Sequence, residues 1–366
     1  MGIRTRSFAF RLGVFTVTIA HGSDETLKPD SLALSIDSYL APLVKEKKFS
    51  GVVLVAKHGK PIVRKAYGFA DWSTKTPNMP ETRFMIFSVT KQFTTAAILR
   101  LQDQGKLSVE DPASKHVADW PAEWKAVTIH HLLSHTSGIE VDTLYFWLCK
   151  HHPRFWEDPK QSPPPYDPKA LVAEPGKTFR YSNAGFNVLS LIVERATGKP
   201  FANALRELVF APLAMNETDS ERFSPTRPRA KGHQWSASGI EFAEQNTNGI
   251  VGAGDVASTI DDMMKWNRSL DGDEFLSARA REAMFKTHVQ GSKWGYGYGW
   301  QLRKGEDGTP LQIFGGSGTG FICNVVRRPN NRLYAAVLCN VSADGDYPYA
   351  LEVVKLAEKD ANGSPR

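Results

Sequence analysis

Phe87-Ser88-Val89-Thr90-Lys91-Gln92-Phe93 is the stretch from which the rest of the chain is best read. Ser88 and Lys91 stand three residues apart, so on a helix they share one face. A serine hydroxyl is a poor nucleophile until a nearby base takes its proton. A lysine serves as that base only when neutral, and burial or neighbouring positive charge pushes its pKa in that direction. Serine and lysine at this spacing also occur on ordinary surface helices, so the meaning of the pair depends on what accompanies it.

Two further segments do. In Arg180-Tyr181-Ser182-Asn183-Ala184-Gly185-Phe186, Ser182 or Asn183 suits a helix N-cap ahead of an apolar run over 186–196. Tyr181 then projects just before the helix. A tyrosine beside a cationic lysine can pass protons between nucleophile and leaving group, and Asn183 can donate to a substrate amide. Read locally, the segment is only a cap with a buried tyrosine. In Phe314-Gly315-Gly316-Ser317-Gly318-Thr319-Gly320-Phe321, glycine-rich backbone beside a strand lets a carbonyl approach main-chain N–H groups. Its bland reading is a bulge or turn.

Taken together and in this order, the three segments resemble the serine β-lactamase and penicillin-binding-protein superfamily. The closest likeness is to its class C-like branch, which includes carboxylesterases and D-amino-acid peptidases. Leu132-Leu133-Ser134-His135-Thr136-Ser137-Gly138, Glu174-Pro175-Gly176, Gly252-Ala253-Gly254-Asp255-Val256-Ala257-Ser258-Thr259 and Gly295-Tyr296-Gly297-Tyr298-Gly299-Trp300 are also family-like. The resemblance spans roughly 30–358 and implies a β-lactamase-like α/β (α+β) fold: an antiparallel sheet flanked by helices, with a largely helical subdomain inserted. It implies Ser88 as acylated nucleophile, Lys91 as its base, Tyr181 as second acid/base group and Asn183 as substrate contact. The backbone N–H groups of Ser88 and Ser317 would form the oxyanion hole, and His135 would be structural support behind the site. One position departs from the pattern. Counting back from Gly320-Phe321, the family's Lys or His falls on Phe314 and its Thr or Ser on Gly315, with only Gly316 kept. The missing cation commonly engages a substrate carboxylate, which tilts the expectation toward esters or other neutral acyl substrates unless Arg303 or Arg327 substitutes.

The elements around these segments fit that frame. Leu32, Ile36, Leu40, Leu43 and Val44 recur at helical spacing over 31–48. Two β-branched runs, 51–56 and 61–67, flank Lys57-His58-Gly59-Lys60 and predict a hairpin. Helical spacing dominates about 85–244, interrupted between 153 and 175 by seven prolines that exclude regular helix or central strand. Tyr145, Phe146, Trp147, Phe155 and Trp156 flank that segment and either wall a pocket or pin a loop. Strand character is expected at about 30–84 and 245–358, with 296–302 as a strand, a hairpin from 321–326 and 333–340, and a last helix over 349–358. Cys323 and Cys339 fall on opposite faces of that hairpin, and with Cys149 they read as buried apolar residues rather than a disulfide framework.

Composition excludes several other classes. The chain has 366 residues, 41% hydrophobic and 23% charged, ordinary for a globular protein of one or two domains. Its net charge is +6, and +3 without the first twenty residues, which hold Arg4, Arg6 and Arg11 and no acid. That leaves no basic footprint for nucleic acid. No run reaches the roughly 18 apolar residues of a membrane span. Residues 1–20, with Leu12 to Ala20 apolar, read as a targeting segment for an exported protein, a mitochondrial or cytoplasmic location being the alternative. No G-x-S-x-G occurs for an α/β-hydrolase. Gly252-Ala253-Gly254 lacks a Rossmann frame, and His130, His131 and His135 lack a zinc-protease spacing. The expectation is a serine hydrolase with a small ester, amide or peptide substrate and no cofactor or metal. The rival from another class is a catalytically silent binding or scaffold protein on the same fold.

Overall fold

The computed structural model describes residues 28–156, 162, 171–221, 228–236, 238–244, 247–342 and 348–361. The targeting segment and the Pro163-Pro164-Pro165 run lie outside them. At the centre is an eight-stranded antiparallel sheet. Its strands are β1 (Gly51–Lys57), β2 (Lys60–Tyr67), β3 (Val289–Gln290), β4 (Gly295–Tyr296), β5 (Gln301–Lys304), β6 (Pro310–Gly318), β7 (Phe321–Arg328) and β8 (Leu333–Cys339). They lie in the order β3-β4-β5-β6-β7-β8-β1-β2, so β1 pairs with β8 and brings residues 51–57 against 333–339. The β1–β2 turn has His58 at φ 51° and Gly59 at φ 71°. Two positive φ values suit the twist of a tight hairpin.

The sheet separates two cores, and period-two alternation feeds both. On β8, Leu333, Ala335, Val337 and Cys339 face one side, and Tyr334, Ala336 and Leu338 the other. The first side is covered by the helices Pro29–Lys45 and Tyr349–Ala361, through Leu32, Ile36, Leu40, Val353 and Ala357. The second is covered by the helical layer. Cys323 pairs across from Leu338 and Cys339 from Ile322, which puts the two thiols in different cores. All three cysteines are buried and unbridged.

The main sheet resumes at Val289 rather than near 245. Residues 256–285 instead form the short strand Val256–Ser258 and the helices Ile260–Ser269 and Ala278–Phe285. The alternating segment 296–302 is not one strand either. β4 ends at Tyr296, the chain turns, and β5 starts at Gln301. Gly297 presses on the Met284 carbonyl, where a Cβ would come within 2.3 Å, and Gly299 takes φ 74°. The glycines therefore serve a turn and a close approach rather than a strand. The aromatics near the proline-rich segment join the core: Trp147 and Phe155 are fully buried, and Trp120, Trp124 and Trp147 form an edge-to-face cluster with centroids 5.1–5.8 Å apart. His151 ends the helix Val141–His151 and packs on Trp147.

Candidate active site

Ser88 sits in a single 3-10 turn, Phe87–Val89, that runs directly into the helix Thr90–Asp103. A small sheet aims this turn: Met85 pairs with Ala257, and Ile86 N–H donates to Val256 O at 3.0 Å. Phe87 adopts φ 43°, a costly conformation for an aromatic residue. On the sheet side β6 passes so close that a Cβ on Gly316 would lie 2.0 Å from Ile86 O and 2.9 Å from Ser88 N. A Cβ on Gly318 would enter the Phe87 ring. Only glycine permits β6 to lie against the turn at these two points. Ser317, between them, is exposed on the strand. Beyond Ile313 no described strand pairs on the β5 side of β6, because Gln301–Ile313 is the last rung. No carbonyl among the described residues accepts the Ser88 backbone N–H.

Lys91 lies on the first turn of that helix and is fully buried. Its Nζ is 3.1 Å from Ser88 Oγ, 2.8 Å from Asn183 Oδ1 and 2.8 Å from Ala253 O. The last two are carbonyl oxygens and can only accept. A neutral amine has two N–H groups and one lone pair, so satisfying both carbonyls leaves the lone pair for the Ser88 O–H. Burial holds the Lys91 pKa well below its ordinary value, which favours this form.

Tyr181 donates its hydroxyl to Ser88 Oγ at 2.9 Å. Its pKa is raised to about 12 by burial, against a smaller opposing effect of the Ser88 contact, so the phenol is protonated at neutral pH. The residue is nevertheless 41% exposed, which leaves its ring open to an incoming molecule. Asn183 opens the helix Asn183–Thr197, whose N-cap is Ser182, accepting from Gly185 N–H at 3.1 Å. With Asn183 Oδ1 held by Lys91, its amide N–H groups remain for another partner. The structure therefore brings Ser88, Lys91, Tyr181, Asn183 and Gly316 to one place from three separate parts of the chain.

Phe314 lies two residues before Gly316 on the same face of β6, buried with its ring 6.2 Å from that of Tyr296. Neither arginine considered as a substitute cation supplies one there. Arg327 is buried and engaged by Asn267 at 2.6 Å, Asp271 at 2.6 Å and Gln312 at 2.7 Å. Arg303 lines a cleft beside the C-terminal helix with Leu351 and Lys355, on the other side of the sheet.

Two contributors escaped the sequence reading. Ala253 O, the second acceptor of Lys91, belongs to the quoted Gly252–Thr259 stretch, but a backbone carbonyl leaves no side-chain signature. Buried Asp255 holds that loop by accepting from Gly252 N–H at 2.8 Å and Ser220 O–H at 2.6 Å. Tyr296 is the other: its hydroxyl is 3.0 Å from His135 Nε2, behind Tyr181. Of the remaining histidines, His130 Nδ1 contacts Tyr298 OH at 2.6 Å, and His131 caps the short helix Ile129–Leu133.

A family model described as Beta-lactamase matches residues 36–359. Penicillin-binding protein 4* of Bacillus subtilis is 28% identical over 346 residues, 88% of this chain and 74% of that protein. Esterase EstB of Burkholderia gladioli is 30% identical over 329 residues, 75% of this chain and 80% of EstB. The crystal structure of a penicillin binding protein from Bacillus halodurans superposes with a TM-score of 0.71 at 28% identity, over 87% of this chain and 99% of that one.

Proposed function

We propose, for a chain that belongs to the beta-lactamase family and is a serine hydrolase acting through an acyl-enzyme, that Ser88 is the acylated residue and that neutral esters are the preferred substrates. The observation that carries the first part is the pair of contacts on Ser88 Oγ, Lys91 at 3.1 Å and Tyr181 at 2.9 Å. Lys91 takes the hydroxyl proton as Oγ attacks the carbonyl carbon. The Ser88 and Ser317 N–H groups hold the oxygen that becomes negative, and Asn183 N–H orients the acyl part. Tyr181 gives its proton to the departing alcohol or amine and regains one from the Lys91 ammonium. Water then repeats the sequence on acyl-Ser88, releasing the acid and restoring the hydroxyl.

The ester preference rests on Phe314. An aromatic ring stands where the family pattern carries a cation, and Arg303 and Arg327 are committed elsewhere. A substrate carboxylate would meet an apolar wall with no counter-charge. The likeness to Esterase EstB supports this choice, whereas the likeness to Penicillin-binding protein 4* favours a penicillin-like ligand. The test compares kcat/KM for p-nitrophenyl butyrate, a chromogenic cephalosporin and a D-alanyl-D-alanine peptide. The ester should be turned over most efficiently, and a higher value for either carboxylate-bearing substrate overturns the preference. Export is proposed on the basic, acid-free start and the apolar 12–20 stretch. An intact Met1 end on protein recovered from its native cells would contradict it. Among the described residues no helix is long and apolar enough to cross a membrane.

A further inference from the structure

His135 touches both neighbours of Tyr181 and Tyr181 itself. Its backbone carbonyl accepts from Arg180 N–H at 2.8 Å, and its Nδ1 accepts from Ser182 N–H at 3.1 Å. Its ring lies on the Tyr181 ring with centroids 4.4 Å apart. An Nδ1 that accepts carries no proton, so in the neutral ring the proton is on Nε2, which donates to Tyr296 OH at 3.0 Å. Tyr296 is buried to 1% exposure on β4, so the chain of contacts ends in the main sheet. His135 itself is 2% exposed and sits at φ 59°, at the end of a segment stitched to 172–180 by Val172 N–H to Gly138 O and Gly176 N–H to Thr136 O. Burial and the nearby Lys91 both oppose a charged ring.

We infer that His135 is a positioning residue: it clamps the 180–182 segment and sets the Tyr181 phenol on Ser88 Oγ. The inference rests on the assignment of Tyr181 as the proton-transfer group. Among the described residues His135 makes no contact with Ser88; its hold on the site is through the 180–182 segment and the Tyr181 ring. The clamp has one polar requirement that can be isolated, an acceptor for Ser182 N–H. Asparagine carries its Oδ1 on Cγ, as histidine carries Nδ1, whereas glutamine places its amide one carbon further out, toward Tyr296.

The test measures kcat and KM on p-nitrophenyl butyrate for His135→Leu, His135→Asn, His135→Gln and Tyr181→Phe, and for the double variant His135→Leu/Tyr181→Phe, with folding followed by circular dichroism. Misplacing a reacting group by an ångström costs roughly 100-fold, so His135→Leu should lower kcat by about that factor with KM little changed. Asparagine should recover most of the loss and glutamine should not. Leucine at 135 should cost nothing further once Tyr181 is phenylalanine, because both changes remove the same contribution. Wild-type kcat in His135→Leu, equal recovery by asparagine and glutamine, or a full additional loss in the double variant would each overturn the inference. If His135→Leu does not fold, the asparagine–glutamine comparison decides alone. Wild-type kcat in Tyr181→Phe would instead sink the assignment on which the inference stands.

Discussion

Lys91 bears the strongest constraint of any residue in the site, because a buried amine must be neutral to act on Ser88. In the neutral form the two carbonyls take its N–H groups and the lone pair faces the serine, and burial lowers its pKa in the sense that favours that form. The sign of the resulting pH dependence follows. The protonated amine cannot accept, so kcat/KM should rise with pH as Lys91 loses its proton, with a midpoint well below the ordinary 10.5. No fall should follow until Tyr181 begins to ionise near 12. A pH–rate profile checks this, and Lys91→Ala should abolish the limb while lowering kcat by about 100- to 10,000-fold. A midpoint at or above 10.5 would contradict the neutral-amine account. Ser88, Lys91, Tyr181 and Asn183 were candidates in the sequence because three motifs in one order resemble a known family, whereas each motif read alone was ambiguous. Ala253 was not, since its contribution is a carbonyl oxygen placed by a loop about 160 residues away in sequence.

At the scale of elements, the site depends on how closely β6 approaches the Phe87–Val89 turn. Gly316 is the point of contact, and Gly316→Ala would place a methyl group 2.0 Å from Ile86 O. The strand or the turn must shift, separating the Ser88 and Ser317 N–H groups. Loss of one oxyanion donor costs about 100- to 1,000-fold in kcat. We expect Gly316→Ala to show a fall of that order with an unchanged far-ultraviolet circular dichroism spectrum. Near-normal turnover would mean that the close approach has no part in catalysis. The first hairpin was readable because β-branched apolar runs on either side of a glycine-containing turn are local signals. Residues 296–302 misled for the same reason. Their alternation mimics a strand, but Gly297 and Gly299 answer to Met284 and Gln92, contacts that only the folded chain creates.

Over the whole molecule, one sheet serves two cores, and the site lies where the helical layer meets it. The terminal helices touch neither Ser88 nor Lys91, yet they bury the reverse face of β1, β7 and β8. The two cores should therefore melt together. Trp147→Ala, in the tryptophan cluster, should cost about 3–5 kcal/mol, and Val353→Ala, beneath the sheet, about 0.8 kcal/mol per methylene-sized group removed, plus a cavity cost. Both should lower a single thermal transition seen alike by circular dichroism and by loss of activity. Two resolved transitions would show separately folding layers. The two-core arrangement was only partly legible. Alternation marks which residues oppose each other on β7 and β8, as with Cys323 and Cys339, but not which helices cover them. That depends on the pairing of β1 with β8 across some 280 residues of intervening chain.

In the proposed reaction an acyl group passes through Ser88. The direct measurement is to react the protein with p-nitrophenyl butyrate, quench in acid within milliseconds, and locate the added mass by peptide mapping, with Ser88→Ala as control. One butyryl group is expected on the peptide bearing Ser88, formed at the rate of the p-nitrophenol burst and absent from Ser88→Ala. A butyryl group on another residue that forms at that rate, or a burst of equal size in Ser88→Ala, would contradict that reaction.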